Sequence, residues 1–246
     1  MELLTREDVR RMSDNGTRGP VVVGRGQRLT PGARDWLAAH KIQAVYPAGG
    51  DAHNAPSDTP QYQTLFGAAF NEKPEHMTHL KGNILVSKTH PRIAFRGELD
   101  TLEAEILWCQ SVAARENRQK LAAALGEVLE FTRNLVRCDV LGEPLSDTFR
   151  LCGLDPQSMR EWSHYPERHL GQPHFMPDWR DGPALLALNR VRTAVRRTEL
   201  AAYPAFRDGE GGVARPDLIL GLNRLSSLLW ILMIQEKAGR YADKPD

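Results

Sequence analysis

Residues 182–200 read GPALLALNRVRTAVRRTEL. Pro183 suits the first turn of a helix, and strong helix formers follow it. On that helix Arg192, Arg196 and Glu199 recur at spacings of four and three, so they share one face, with Arg197 beside it. Two arginines one turn apart repel each other, and an anion bridging them removes the repulsion. Guanidinium groups meet phosphate oxygens through paired N–H donors, and a carboxylate such as Glu199 can hold one of them in place. The chemistry on offer is phosphate recognition. The same pattern also fits a solvated basic helix face.

A second stretch, residues 215–228, reads RPDLILGLNRLSSL and runs on into LLWILMI. It places Asn223 and Arg224 inside an apolar helix, where polar groups need bonding partners. A third, residues 137–144, reads RCDVLGEP. Arg137, Asp139 and Glu143 there suit either an ion-pair network at a helix end or contact with a ligand. His76 and His79, three apart, could share a helical face, though that spacing alone is a weak metal signal. Residues 153–180 are loop-rich and carry Trp162, His164, His169, His174, Phe175, Met176 and Trp179 without strict metal spacing.

The elements that must position these residues follow from periodicity and caps. Residues 3–13 read as a short helix capped by Thr5, with Asp8 at the third position. Residues 21–23 form a β-branched run. Thr30 and Pro31 start a helix that stops near His40, and residues 42–46 read as a strand. Strand, helix and strand make residues 1–48 a small α/β appendage. Residues 49–77, rich in Gly, Pro, Ala, Asn and Asp, read as a linker or lid. From Leu99 to Val136 the apolar spacing is helical, with a break around Glu116 and Asn117, which gives two long helices. Residues 78–246 are therefore mainly α.

Composition narrows the partners. The chain has 246 residues with 32 Lys and Arg against 31 Asp and Glu, and this balance favours neither nucleic acid nor an anionic membrane surface. The apolar run 218–234 is broken by Asn223, Arg224 and two serines, so it reads as a buried bundle helix. Nothing in MELLTREDVRR reads as a signal peptide. Cys109, Cys138 and Cys152 are scattered, which fits a reducing, cytoplasmic setting.

In combination, the R-x-x-x-R-R-x-E run of Arg192, Arg196, Arg197 and Glu199, the L-N-R-L-S run from Leu222 to Ser226, and PRIAFRGELD at 91–100 resemble the cobalamin adenosyltransferases. The R-x-D-x-L-G-E-P run from Arg137 to Pro144, and His79, are similar to the ethanolamine-utilisation type. The resemblance covers residues 78–238 and, weakly, 17–48. It implies an antiparallel five-helix bundle that assembles as a homotrimer with active sites between subunits. It implies transfer of the 5′-deoxyadenosyl group of ATP to the cobalt of reduced cobalamin, with Mg2+ on the nucleotide. By position, Asp100 would pair with Arg192 of a neighbouring subunit. Lys88, with Ser87 and Thr89, would lie in the loop that cradles phosphates, though without the glycine-rich motif of the propanediol-utilisation type. Arg196 and Arg197 would contact phosphate, Glu199 would orient an arginine, and Asn223 and Arg224 would contact ATP or hold the arginine helix. Phe175 or Met176 would close the lower face of cobalamin. Some relatives of the ethanolamine type bind a divalent metal through a His followed by paired cysteines near residues 53–70. Here His53 stands in that region and the first cysteine is Cys109, so no cysteine-bound metal is expected. A reductase and microcompartment proteins are the implied partners, with the compartment lumen a possible location. The competing readings are a non-catalytic corrinoid or ATP carrier, and a nucleotide-binding bundle with another acceptor.

Overall fold

The computed structural model describes residues 2–14, 20–24, 26–46, 61–209 and 211–242. The chain divides into two compact units, residues 1–61 and 62–246. His53 lies outside the described residues.

The first unit holds β1 (Glu2–Leu4), α1 (Arg6–Asp14), β2 (Val21–Val22), β3 (Gln27–Leu29), α2 (Pro31–Ala39) and β4 (Ala44–Val45). β1 pairs parallel with β3, and β2 pairs parallel with β4. The caps are those expected from the sequence. The Thr5 backbone N–H donates to Asp8 at 2.8 Å, and Thr30 Oγ1 accepts from the Ala33 N–H at 3.3 Å, with Pro31 in the first turn. Leu4, Val9, Val21, Val23, Leu29, Ala33 and Leu37 form its core.

The second unit begins with β5 (Tyr62–Thr64), β6 (Ala69–Phe70), β7 (Met77–Lys81) and β8 (Ile84–Ser87), in the spatial order β6-β5-β8-β7. Residues 62–77 thus carry strands where the composition reads as linker or lid. The strands there are two or three residues long, too short to show a period of two. Residues 49–60 lie outside the described residues. His79 lies on a strand, not on a helix, and His76 immediately precedes that strand. Odd spacing on extended backbone sends side chains to opposite faces. The His79 ring nitrogen instead meets the Gly82 carbonyl at 3.0 Å.

Four long helices follow: α3 (Pro91–Arg115), α4 (Gln119–Leu141), α7 (Pro183–Phe206) and α8 (Pro216–Lys237). Between them lie α5 (Pro156–His164), α6 (Pro166–Leu170) and a 3-10 turn at Trp179–Asp181. Cross-helix bonds fix the directions. Glu98 meets Arg197 while Glu105 meets Arg190, so α3 and α7 run antiparallel. Asn223 bonds Glu199 and Trp230 lies over Arg192, so α7 and α8 do too. Gln110 reaches the Ala122 carbonyl and Glu103 meets Arg133, so α3 and α4 do as well. α5 packs on α8 as the fifth member. Phe95, Leu99, Leu102 and Ile106 on α3, Leu121 and Leu125 on α4, Leu188 and Val195 on α7, and Leu222, Leu225 and Leu229 on α8 are all fully buried. α8 is long and apolar enough to cross a membrane, but 67% of its most apolar window is buried in the bundle.

The first two turns of α3 are tied down by charge. Asp139, completely buried on α4, accepts from Arg92 and, at 2.6 Å, from Arg96. Arg96 also donates to the Leu80 carbonyl of β7 at 3.0 Å. Arg137 and Glu143 form a separate, exposed pair at 3.2 Å. The RCDVLGEP run therefore splits into a buried anchor and a surface contact.

Candidate active site

The arginine helix α7 begins at Pro183 and carries Asn189, Arg192, Arg196 and Glu199 along one face. The facing stripe of α8 is Asn223, Ser226, Ser227 and Trp230, again at spacings of three and four. Between the stripes, and under the loop 174–177, lies a cleft of about 590 Å3. Arg192, Arg196, Asn223, Ser226, Ser227 and Trp230 line its helical walls. Ser163, His164, His174, Phe175, Met176 and Pro177 complete it.

Arg192 is half-buried. Its Nε and Nη2 donate to Asn189 Oδ1 at 3.3 and 3.2 Å, and its guanidinium lies over the Trp230 ring, 5.5 Å from the centroid. Burial, and then the charge of Arg196, pull its pKa below the usual guanidinium value. Arg196 is exposed to the cleft and has no ion-pair partner among the described residues. No carboxylate among the described residues lines the cleft. A cationic wall of this kind is suited to an anion with several oxygens.

The other expected residues are placed differently. Arg197 turns away from the cleft to Glu98, at 2.5 Å. Glu199 holds the Asn223 amide at 3.1 Å instead of a guanidinium of its own helix. Arg224 is partly buried; desolvation and the nearby Arg160 lower its pKa, and Glu199 opposes them. Lys88 pairs with Glu75 at 2.7 Å and does not line the cleft. Asp100 is exposed on α3 with no partner among the described residues. Phe175 stacks on Trp230, centroids 5.1 Å apart, and Lys237 lies over its ring. Met176 is 88% exposed, so it offers a free apolar surface at the rim.

The family model for cobalamin adenosyltransferase matches residues 68–236, which include every helix lining the cleft. The chain belongs to the cobalamin adenosyltransferase family. Membership makes it a transferase. It is 31% identical to the corrinoid adenosyltransferase EutT of Escherichia coli K12, over 84% of this chain and 82% of that protein. It is 30% identical to EutT of Salmonella typhimurium LT2 over the same shares. Its fold is similar to a variant PduO-type ATP:corrinoid adenosyltransferase of Lactobacillus reuteri complexed with cobalamin and ATP. The TM-score is 0.51 at 22% identity, covering 70% of this chain and 90% of that one. A second variant of that enzyme, complexed with ATP, gives 0.50, covering 70% and 94%.

Within this adenosyltransferase framework the structure adds Trp230, His174, His164 and Ser227 to the cleft. Trp230 stands seven residues after Asn223, two helical turns along the same face. That spacing is the signal that could have found it.

Proposed function

We propose that this chain transfers the 5′-deoxyadenosyl group of ATP to the cobalt of reduced cobalamin. Cob(I)alamin is the nucleophile. Its cobalt forms a bond to C5′ as the C5′–O bond breaks, and the electron pair leaves on the phosphate oxygen. The protein supplies no nucleophile. It aligns the two substrates and stabilises the charge on the leaving phosphates. The observation that carries this reading is the pairing of Arg192 and Arg196 in a cleft lined by no carboxylate among the described residues.

Arg196 is assigned to the phosphate chain, with Asn223 and Arg224 supporting the nucleotide. Glu199 acts through Asn223, which it bonds. Arg197 takes a secondary share, since it must first leave Glu98. Lys88 is assigned to the phosphate chain of a site completed by assembly. Mg2+ would enter on the nucleotide's own oxygens, where it neutralises phosphate charge. Phe175 and Met176 present the apolar surface for the corrin's lower face, where water is to be excluded.

We further infer a homotrimer in which Asp100 of one subunit meets Arg192 of the next. Among the described residues Asp100 is exposed and unpaired, and Arg192 has no carboxylate partner. Similarity to EutT supports service in an ethanolamine or related utilisation compartment, with a cobalamin reductase as partner. Transfer is not expected to need a thiolate-bound metal. Burial, with Glu105 and Glu236 nearby, pushes the Cys109 thiol up to about 12, and burial beside Glu127 does the same for Cys152. Such thiols resist the deprotonation that metal ligation needs. Protein purified without added metal should contain little zinc or iron by elemental analysis. A near-stoichiometric metal lost along with activity in a His53, His76 or His79 variant would contradict this.

The direct test is anaerobic incubation with cob(I)alamin and MgATP. Adenosylcobalamin should form. Binding of both ligands with no product would favour a carrier, and adenosylation of a different acceptor would favour another transferase.

A further inference from the structure

The cationic wall of the cleft has an unusual support. Arg192 is held on its own helix by a neutral amide, Asn189, and across the interface by a ring, Trp230. Trp230 is itself fixed. Its Nε1–H donates to His174 Nδ1 at 3.2 Å, and the His174 Nε2 faces the His164 carbonyl at 3.4 Å. Both contacts are satisfied by one tautomer, with the proton on Nε2. The His174 and Phe175 rings lie nearly parallel to the indole, at 17° and 16°. One chain of contacts thus runs from the end of α5 through the loop 174–177 and α8 to the arginine helix.

We infer that Trp230 is a positioning residue for Arg192. The inference rests on the proposed role of the arginine face in using ATP. An aromatic face attracts a guanidinium through its quadrupole but carries no net charge. A carboxylate in the same place would take the in-plane donors of Arg192. Trp230 orients the guanidinium from its face and leaves the in-plane donors that Asn189 does not occupy to the oxygens that the assembled site brings, the Asp100 carboxylate of the neighbouring subunit and the nucleotide. Arg192 bonds the Asn189 amide on its own helix and lies against the indole on α8, with the Arg196 guanidinium one turn along the same cleft wall. The ring also couples the two substrate assignments. The loop offered to the corrin and the arginine offered to the nucleotide are braced on the same side chain.

The test is a double-mutant cycle on the full chain. Trp230→Leu keeps an apolar filler and removes the ring, and Trp230→Phe keeps a ring and removes the N–H. Trp230→Leu should lower kcat/KM for ATP about tenfold, through KM more than kcat. Trp230→Phe should recover it to within about threefold of wild type. In an Arg192→Met background, Trp230→Leu should cost less than about twofold more. Losses that multiply in the double variant would overturn the inference, as would Phe and Leu variants that fail equally. If Trp230→Leu does not fold, Trp230→Met takes its place in the cycle. The same cycle is read by calorimetry with MgATP. A wild-type chain that binds ATP without making adenosylcobalamin would sink the proposed function alone, and the binding cycle would still decide the role of Trp230.

Discussion

Two arginine pairs, each one turn apart, sit on long helices of the same bundle and meet opposite fates. Arg92 and Arg96 on α3 both close on Asp139, a carboxylate with no solvent exposure. Arg192 and Arg196 on α7 face a cleft and meet an amide, a ring and open space. Spacing alone says only that two guanidiniums share a face. The partner on the neighbouring helix decides whether their charge is neutralised. In the first pair the charge anchors α3 to α4 and β7; in the second, on the proposed function, it is held for a ligand. On that proposal the first is an element of stability and the second an element of function.

The largest effect should come from breaking the anchored pair. Asp139→Asn leaves two partly buried guanidiniums without a counter-charge, which costs about 3–5 kcal/mol. Thermal unfolding should shift down by roughly ten degrees or more. The fraction that stays folded should keep its KM for ATP. An unchanged melting temperature would mean that Asp139 is not the anchor.

Next in size is charge reversal at the open pair. Arg192→Asp should impair assembly or activity by about 2–5 kcal/mol if its partner is Asp100 across a desolvated interface. Combining it with Asp100→Arg should restore part of the loss, read by sedimentation and by turnover. Additive losses with no rescue would count against the pairing.

The smallest effect belongs to Arg197, which stands beside the open pair but, like the anchored one, meets a carboxylate. Its contact with Glu98 is largely exposed, so Arg197→Ala should cost under about 1 kcal/mol of stability. Its use of ATP should stay within about threefold of wild type. A loss equal to that of Arg196→Ala would place Arg197 in the phosphate site itself.

The sequence made much of this architecture legible, for local reasons. Thr30 before Pro31, the break near Glu116 and Asn117, and the apolar spacing of α3 and α4 are short-range signals that the fold keeps. The stripe of Arg192, Arg196 and Glu199 was equally visible. What the sequence withheld was tertiary. β5 and β6 are too short for a period to show. Arg197 finds Glu98 at a separation of 99 residues, which no local pattern reports. Asp139 looked like a partner for Arg137 and Glu143 because they are neighbours in sequence, yet its side chain points inward to α3. Trp230 lay hidden in the run LLWILMI, where an indole reads as core until the facing arginine is known.

The comparison is tested most directly by the ATP dependence of Arg196→Ala. Anaerobic formation of adenosylcobalamin from cob(I)alamin is followed from limiting to saturating MgATP, in this variant and in wild type. Loss of a charge-assisted contact to phosphate is worth about 1.5–3 kcal/mol, so kcat/KM for ATP should fall roughly 10- to 150-fold. Helix content and melting temperature should stay within error, since Arg196 has no partner among the described residues to lose. Normal turnover at limiting ATP would contradict the assignment of the open pair to phosphate.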